Sequence, residues 1–282
     1  MGIKRADFIG SWYPGTKKEC VRTIEKYLKT IPEPSVRYDG LGGIVPHAGW
    51  FFSGPTAVTV YHGIKKKKNP ELLFVFGMHL PPGGSNYLFV DDGIETPLGN
   101  LMVSAEAVKM MKELFDFVYE DSASYIRDNT REMQLPMLKY FFPDAKVVSI
   151  GVSPGSGAVK IGECAATVSR TLGLQACFIG STDLTHYGPN YGFTPQGVGP
   201  ESVEWVKNKN DRQVIDAFLN ADPFEVLRQA ESYHNACCPG GAAAAIAAVR
   251  DMGVERGALL QYTTSYDVQP DYSFVGYAGV VY

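Results

Sequence analysis

The chain has 282 residues, of which 45% are hydrophobic and 20% charged, the composition of an ordinary globular protein able to bury a sizeable core. Its formal net charge of -4 gives no excess of Lys and Arg to condense onto a phosphate backbone, so nucleic acid is excluded as an expected partner. No apolar stretch reaches the length of a membrane span, and the N-terminal Met1-Gly2-Ile3-Lys4-Arg5-Ala6 carries no export core; a cytoplasmic location is expected. The cysteines (Cys20, Cys164, Cys177, Cys237, Cys238) are odd in number and form no small-protein disulfide framework, so reduced thiols are expected.

In chain order, an aromatic arm, Asp7-Phe8-Ile9-Gly10-Ser11-Trp12-Tyr13-Pro14, precedes an amphipathic helix over Thr16 to Leu28. After a Pro32-Glu33-Pro34 break, Leu41 to Val45 reads as a buried strand that stops at Pro46 and delivers His47 into a loop. Ser53 is positioned to cap the next helix, with Pro55 in its first turn, and the run Lys65-Lys66-Lys67-Lys68 reads as its solvated C-terminal end. Leu72 to Phe76 is a second buried strand, ending at Gly77-Met78-His79. Around Asp91-Asp92-Gly93, Tyr87 to Val90 and Ile94 to Val103 read as a hairpin or as edge strands. Ser104 caps a helix, and a polar stretch from Arg127 to Pro136 runs into another over Met137 to Phe142.

Lys146 to Val152 is a third strand, followed by a helix over Val159 to Leu172, and Gln175 to Ile179 is a fourth. The fourth runs into Gly180-Ser181-Thr182-Asp183-Leu184-Thr185-His186-Tyr187-Gly188. Tyr191 to Pro200, rich in Gly and Pro, is expected to form a long loop over the site. Ser202 to Ala230 is helical with a break at Ala221-Asp222-Pro223. His234 to Gly241 opens a small-residue helix, and Leu259 to Thr264 and Ser273 to Val281 complete the sheet. Strands alternating with helices predict one α/β domain over 1–282, with a central, mainly parallel sheet flanked by helices.

The chemistry gathers at strand ends and at one helix start: His47, His79, the Asp183/His186 pair and Cys237. In open α/β sheets ligands bind outside the carboxyl ends of the strands. Imidazole, carboxylate and thiolate are the ligand set of transition metals, and two His with one anionic ligand suits an oxygen-activating Fe(II). His47 and His79 are the first choice. On residue chemistry alone the third ligand is either Asp183 or Cys237, with Glu132 a further carboxylate. Each also has a plainer reading: a hydrogen-bonded loop imidazole, an Asx-turn at Asp183, a helix N-terminal thiol of lowered pKa at Cys237. His62 and His234 are read as structural, Cys164 and Cys177 as small buried hydrophobes, and Cys238 is expected to point away from Cys237. Trp50 and Tyr187 are read equally as packing or as substrate walls.

Ile44-Val45-Pro46-His47-Ala48-Gly49-Trp50 with Ser53-Gly54, the Gly180 to Gly188 segment, Gly10-Ser11-Trp12-Tyr13-Pro14 and the Glu132 to Pro136 stretch together resemble the Memo family, in order and over most of the chain. The resemblance implies a fold similar to class III extradiol dioxygenases, whose non-haem Fe(II) opens catechol rings. It implies a pocket lined by two His and a Cys, the Cys replacing the glutamate of the ring-opening enzymes. Carried over, the metal set is His47, His79 and Cys237, and His186 and Asp183 become the acid/base and supporting catalytic residues. Fe(II) is the expected metal, with Cu or Zn as alternatives. A link to AMMECR-like and radical-SAM proteins is implied as well. Here Asp128, Asn129 and Thr130 stand where the family often has Glu-His-Ser, the approach to His79 through Gly77-Met78 is shorter than usual, and Cys238 stands where a glycine is common.

The readings that follow are a metal-dependent, dioxygenase-like oxidoreductase acting on a small or aromatic substrate; a non-catalytic binder of a peptide, or a handler of Cu or Fe, using the same pocket; and metal-independent thiol chemistry at Cys237 beside His186.

Overall fold

The computed structural model describes residues 2–31 and 36–282, so the Pro32-Glu33-Pro34 break lies outside the described residues. The N-terminal third holds β1 (Ile3–Lys4), α1 (Lys17–Leu28), β2 (Gly42–Val45), α2 (Trp50–Lys67), β3 (Leu72–Gly77), β4 (Tyr87–Phe89), β5 (Gly93–Ile94) and β6 (Leu101–Met102). Next come α3 (Ala105–Leu114), β7 (Val118–Glu120), α4 (Asn129–Glu132), α5 (Leu135–Phe141), β8 (Lys146–Gly151), α6 (Ser156–Leu172), β9 (Ala176–Ser181) and β10 (His186–Tyr187). The remainder is α7 (Pro200–Trp205), a π-turn at Val206–Asn210, α8 (Asp211–Leu219), α9 (Pro223–Tyr233), α10 (Pro239–Asp251), β11 (Ala258–Thr264), α11 (Ser265–Val268) and β12 (Phe274–Val281).

The main sheet runs β10-β12-β2-β9-β3-β8-β4-β7, with β11 also paired to β12. Its centre, β2-β9-β3-β8, is parallel, and β4 and β12 join antiparallel on either side. β3 and β9 are buried along their whole length because helices cover both faces, which is why they read as unbroken apolar runs rather than as alternation. α10 lies between the sheet and α6, and its run Ala242-Ala243-Ala244-Ala245 is small enough for that close approach. One large hydrophobic cluster joins the layers, so the chain is a single α/β domain. No helix among the described residues is long and apolar enough to cross a membrane.

The cap expected at Ser104 forms, and Thr16 and Asp222 cap α1 and α9 in the same way, each side chain accepting a first-turn N–H. Lys65, Lys66 and Lys67 occupy the exposed last turn of α2. Two expectations are corrected. α2 starts at Trp50 behind Gly49, so Ser53 lies inside it and donates to the Ala48 carbonyl, and Pro55 is internal. Tyr87 to Val103 is not one hairpin: β4 joins the main sheet between β8 and β7, while β5 pairs with β6 and β1 in a separate small sheet. Asp92-Gly93 thus marks a change of sheet.

Candidate metal centre

β2, β9 and β3 are adjacent and parallel, so their C-terminal ends lie along one edge and the residues after them share one crevice. His47 follows β2, His79 follows β3, and Thr182-Asp183 follows β9. α10 packs against β9 and β3 with its N-terminus toward the same edge, which brings Cys237 and Cys238 there too. The donor atoms of His47, His79, Cys237 and Cys238 all lie within 4.8 Å of one another.

The imidazole of His47 is buried, and its hydrogen bonds fix which nitrogen faces the cluster. Nδ1 sits 3.1 Å from Ser181 Oγ. That hydroxyl gives its only hydrogen to the Thr130 carbonyl, at 2.7 Å, and so must accept from Nδ1–H. Nε2 is left without a hydrogen in the neutral ring and points at Cys237 Sγ, 3.2 Å away. Gln134 steadies the shelf beneath, donating from Nε2 to the Pro46 carbonyl at 2.9 Å and to Ser181 Oγ at 3.1 Å. The Asn129 amide donates to the His47 carbonyl at 3.0 Å.

His79 is oriented in the same sense. Asp128 Oδ2 accepts from its backbone N–H and from Nδ1, both at 3.1 Å, leaving Nε2 for the cluster. The loop is tight: Met78 has φ 84, a left-handed conformation that a long side chain rarely adopts, and its N–H donates to Thr130 Oγ1 at 2.6 Å. A Cβ on Gly77 would come within 2.5 Å of that same oxygen, so Thr130 and Gly77 together set the path to His79. His79 stays exposed on the pocket side.

Charge follows these contacts. Burial pulls the His47 pKa down, but the Asp183 carboxylate and Cys237 outweigh it and the net shift is upward. His79 is likewise desolvated, yet its bond to Asp128 and the nearby sulfur push it up to about 10. Burial raises Cys237, but the Cys238 thiol and the two imidazoles win and hold it well below the ordinary thiol range. Burial and its thiolate neighbour push Cys238 up. The three shifts run in the same sense, toward protonated imidazoles beside an ionised sulfur.

Asp183 accepts the His47 backbone N–H at 2.7 Å. Its carboxylate is fully buried, which raises its pKa against the opposing pull of His47. It supports His47 directly, whereas His186 Nδ1 bonds the Leu184 carbonyl at 3.2 Å. His186 lies on β10, held in register against Val275 of β12, and packs edge-on against Tyr191. Asp211, at the end of the π-turn, accepts from the backbone N–H of Thr185 at 3.0 Å and from the Tyr262 hydroxyl at 2.8 Å, fixing the residue before His186.

Above the cluster opens a cavity of about 590 Å³ with aromatic walls from Trp12, Phe51, Phe52 and Tyr191. His47, His79, Asp183 and His186 reach its floor and sides, with Ser265, Gln269 and Ser273 opposite. Of the Tyr191 to Pro200 segment only Tyr191 lines this cavity. Trp50 and Tyr187 are packing residues: Trp50 is buried with its indole N–H on the Met133 carbonyl, and Tyr187 stacks on Phe274.

Two residue assignments are corrected by this geometry. Glu132 is not a ligand: its carboxylate accepts the backbone N–H groups of Asp7 and Phe8 and the Tyr13 hydroxyl, and pairs with Lys4, clamping the N-terminal arm. Cys238 does not point away: its Sγ lies 3.9 Å from that of Cys237, inside the cluster. Ser181, Thr130, Gln134 and Asp211 carry positioning roles that the sequence reading passed over. Ser181 and Gln134 fall within the quoted motifs and Thr130 just before one, but nothing in their type or spacing says that they bond one another.

The Memo-like protein family model matches residues 4–281. The chain belongs to the Memo family. A MEMO1 family protein of Nitrosopumilus maritimus is 31% identical over 290 residues, spanning 99% of this chain and 98% of the relative. One from Thermococcus kodakarensis is 31% identical over 284 residues, 97% of each chain. Among solved structures, an uncharacterized protein of Escherichia coli K12 matches with a TM-score of 0.50 at 11% identity, covering 85% of this chain and 98% of that one, a likeness of fold alone.

Proposed function

We propose that this Memo-family chain is a metal-handling protein that binds one transition-metal ion at the pocket floor through His47, His79 and Cys237. The observation that carries the reading is that both imidazoles are locked by Ser181 and by Asp128 with Nε2 turned inward, toward a sulfur whose pKa the neighbouring Cys238 thiol and imidazoles hold down. Oriented imidazoles and a thiol of lowered pKa are what a metal site needs before the ion arrives. An ion held there would lie beneath whatever small molecule or peptide occupies the cavity above it. The aromatic walls and the absence of Lys and Arg among the lining residues favour a neutral or cationic ligand over an anionic one.

The test is metal content and titration of protein purified under reducing conditions, comparing the native chain with His47→Ala, His79→Ala and Cys237→Ser. One equivalent in the native protein, lost in each variant, supports the reading; equal binding in all four ends it.

His186 supports a second reading, a dioxygenase-like oxidoreductase using Fe(II). It stands at the cavity side beside Tyr191, where it can exchange a proton with a bound phenol, while Asp183 holds His47 in place. Anaerobically iron-loaded protein offered oxygen with a panel of catechols tests it. Oxygen uptake that His186→Gln abolishes supports this reading, and none across the panel refutes it.

A further inference from the structure

We infer that Cys238 is a fourth protein ligand, making the centre a closed His2Cys2 site for a d10 ion, Zn(II) or Cu(I), rather than an open three-ligand site. The inference rests on the metal-handling reading above and specifies its ion. Its starting point is the placement of the Cys238 sulfur. A buried cysteine acting as a small hydrophobe is surrounded by carbon. Cys238 is buried at 2% exposure, yet its sulfur lies within 4.8 Å of two imidazole nitrogens and a second sulfur.

The spacing fits a shared ion. A tetrahedral centre with metal–sulfur bonds of about 2.3 Å has a sulfur–sulfur edge of about 3.8 Å, and with metal–nitrogen bonds of about 2.0–2.1 Å a sulfur–nitrogen edge of about 3.6 Å. The 3.9 Å between Cys237 and Cys238 matches the first edge, while the 3.2 Å between Cys237 and His47 Nε2 is a hydrogen bond shorter than the second and must open slightly to admit an ion. The pair is not a disulfide: both thiols are free, and 3.9 Å is far beyond a sulfur–sulfur bond.

The backbone is set for chelation by both residues. The Cys237 N–H donates to the Asp183 carbonyl at 3.1 Å and the Cys238 N–H to Thr182 Oγ1 at 3.0 Å, so the end of β9 holds both. Cys238 is also the N-cap of α10, where the helix dipole favours negative charge. Two thiolates and two imidazoles in tetrahedral array select Zn(II) or Cu(I). They fill the position at which an Fe(II) centre would take up oxygen.

The test uses reduced, metal-free protein, handled anaerobically, as native chain, Cys238→Ser and Cys238→Ala; thermal unfolding of the metal-free forms confirms that at least one variant keeps the fold. X-ray absorption of the zinc-loaded native protein is expected to show two sulfur and two nitrogen scatterers, falling to one sulfur in the folded variant. The sulfur-to-Co(II) charge-transfer intensity, with cobalt as zinc probe, falls by about half as two thiolate ligands become one. Competition against a Cu(I) chelator decides between the ions: native protein that outcompetes it while the variant does not assigns Cu(I), and equal failure with zinc retained assigns Zn(II). One sulfur in the native protein, or a cobalt spectrum unchanged by the substitution, overturns the assignment of Cys238 and leaves the three-ligand reading standing. Native protein that binds none of these ions overturns both.

Discussion

Ser181→Ala tests whether the hydroxyl beneath His47 holds the centre. Ser181 is fully buried and makes three contacts: it donates to the Thr130 carbonyl at 2.7 Å, accepts from His47 Nδ1 at 3.1 Å and accepts from Gln134 Nε2 at 3.1 Å. Alanine leaves the Thr130 carbonyl with only a long 3.4 Å bond from Gln134 and leaves His47 Nδ1–H with no acceptor. Gln134 keeps its bond to the Pro46 carbonyl, so its loss is small. Two buried groups stranded at about 1–3 kcal/mol each give an expected destabilisation of about 2–6 kcal/mol. The loss of hydroxyl volume adds little. Because the imidazole is then free to turn or to change tautomer, metal affinity falls by about 10–100-fold. Denaturant unfolding of the metal-free forms and competitive metal titration of both measure the two effects. A variant less than about 1 kcal/mol weaker with unchanged affinity would refute the tautomer argument, since among the described residues Ser181 is the acceptor placed at Nδ1.

Other outcomes follow from the same geometry. Asp128→Asn removes the charge that raises His79. The His79 imidazolium contributes stability fully below its unfolded value of 6.5, lost as pH rises through about 10; in the variant that alkaline loss moves down toward 6.5, read from the His79 ring resonances of metal-free protein. An unmoved titration would count against the pairing. Asp211 is an acid raised by burial to about 6, so its contribution is greatest below 3.8 and lost as pH rises through 6. Across that window it amounts to about 3 kcal/mol, a slope that Asp211→Asn should abolish in a series of urea midpoints. Gly276→Ala puts a Cβ 1.9 Å from Asp211 Oδ2, against a fully buried carboxylate that cannot retreat. Destabilisation of more than about 3 kcal/mol and misplacement of His186 are expected, and a variant that melts like the native chain refutes the fixed position of Asp211. Asp222→Ala removes the acceptor for the Phe224 and Glu225 N–H groups and costs about 1 kcal/mol by thermal unfolding, with no effect on metal binding.

The parts of this molecule that sequence discloses are those governed by local physics. Leu72 to Phe76 reads as a strand because a parallel strand covered on both sides must be apolar throughout, and its histidine follows a glycine that ends the run. His47 is found for the same reason, behind Pro46. The start of α2 is hidden because Pro55 in a first turn is a common signal, whereas the actual N-cap, Gly49, offers no side-chain acceptor. Tyr87 to Val103 was misread because strands of two or three residues are too short for alternation to show which sheet each joins. Glu132, Ser181 and Thr130 act across gaps of more than fifty residues, and residue type does not say whether a carboxylate faces a metal or a row of backbone N–H groups. The orientation of Cys238 depends on how α10 meets β9, a matter of packing rather than of pattern.

The separation of 190 positions between His47 and Cys237 has a further meaning for how the four groups come together. Synthesis delivers His47 early, and the two sulfurs emerge only after most of the sheet has been made. A nascent chain therefore has no completed donor set to trap a stray ion, and the last segments must close over the first before the four groups meet. If the centre takes up metal as proposed, loading would be an event in the life of the finished protein, reached through the cavity mouth where His79 is the exposed imidazole.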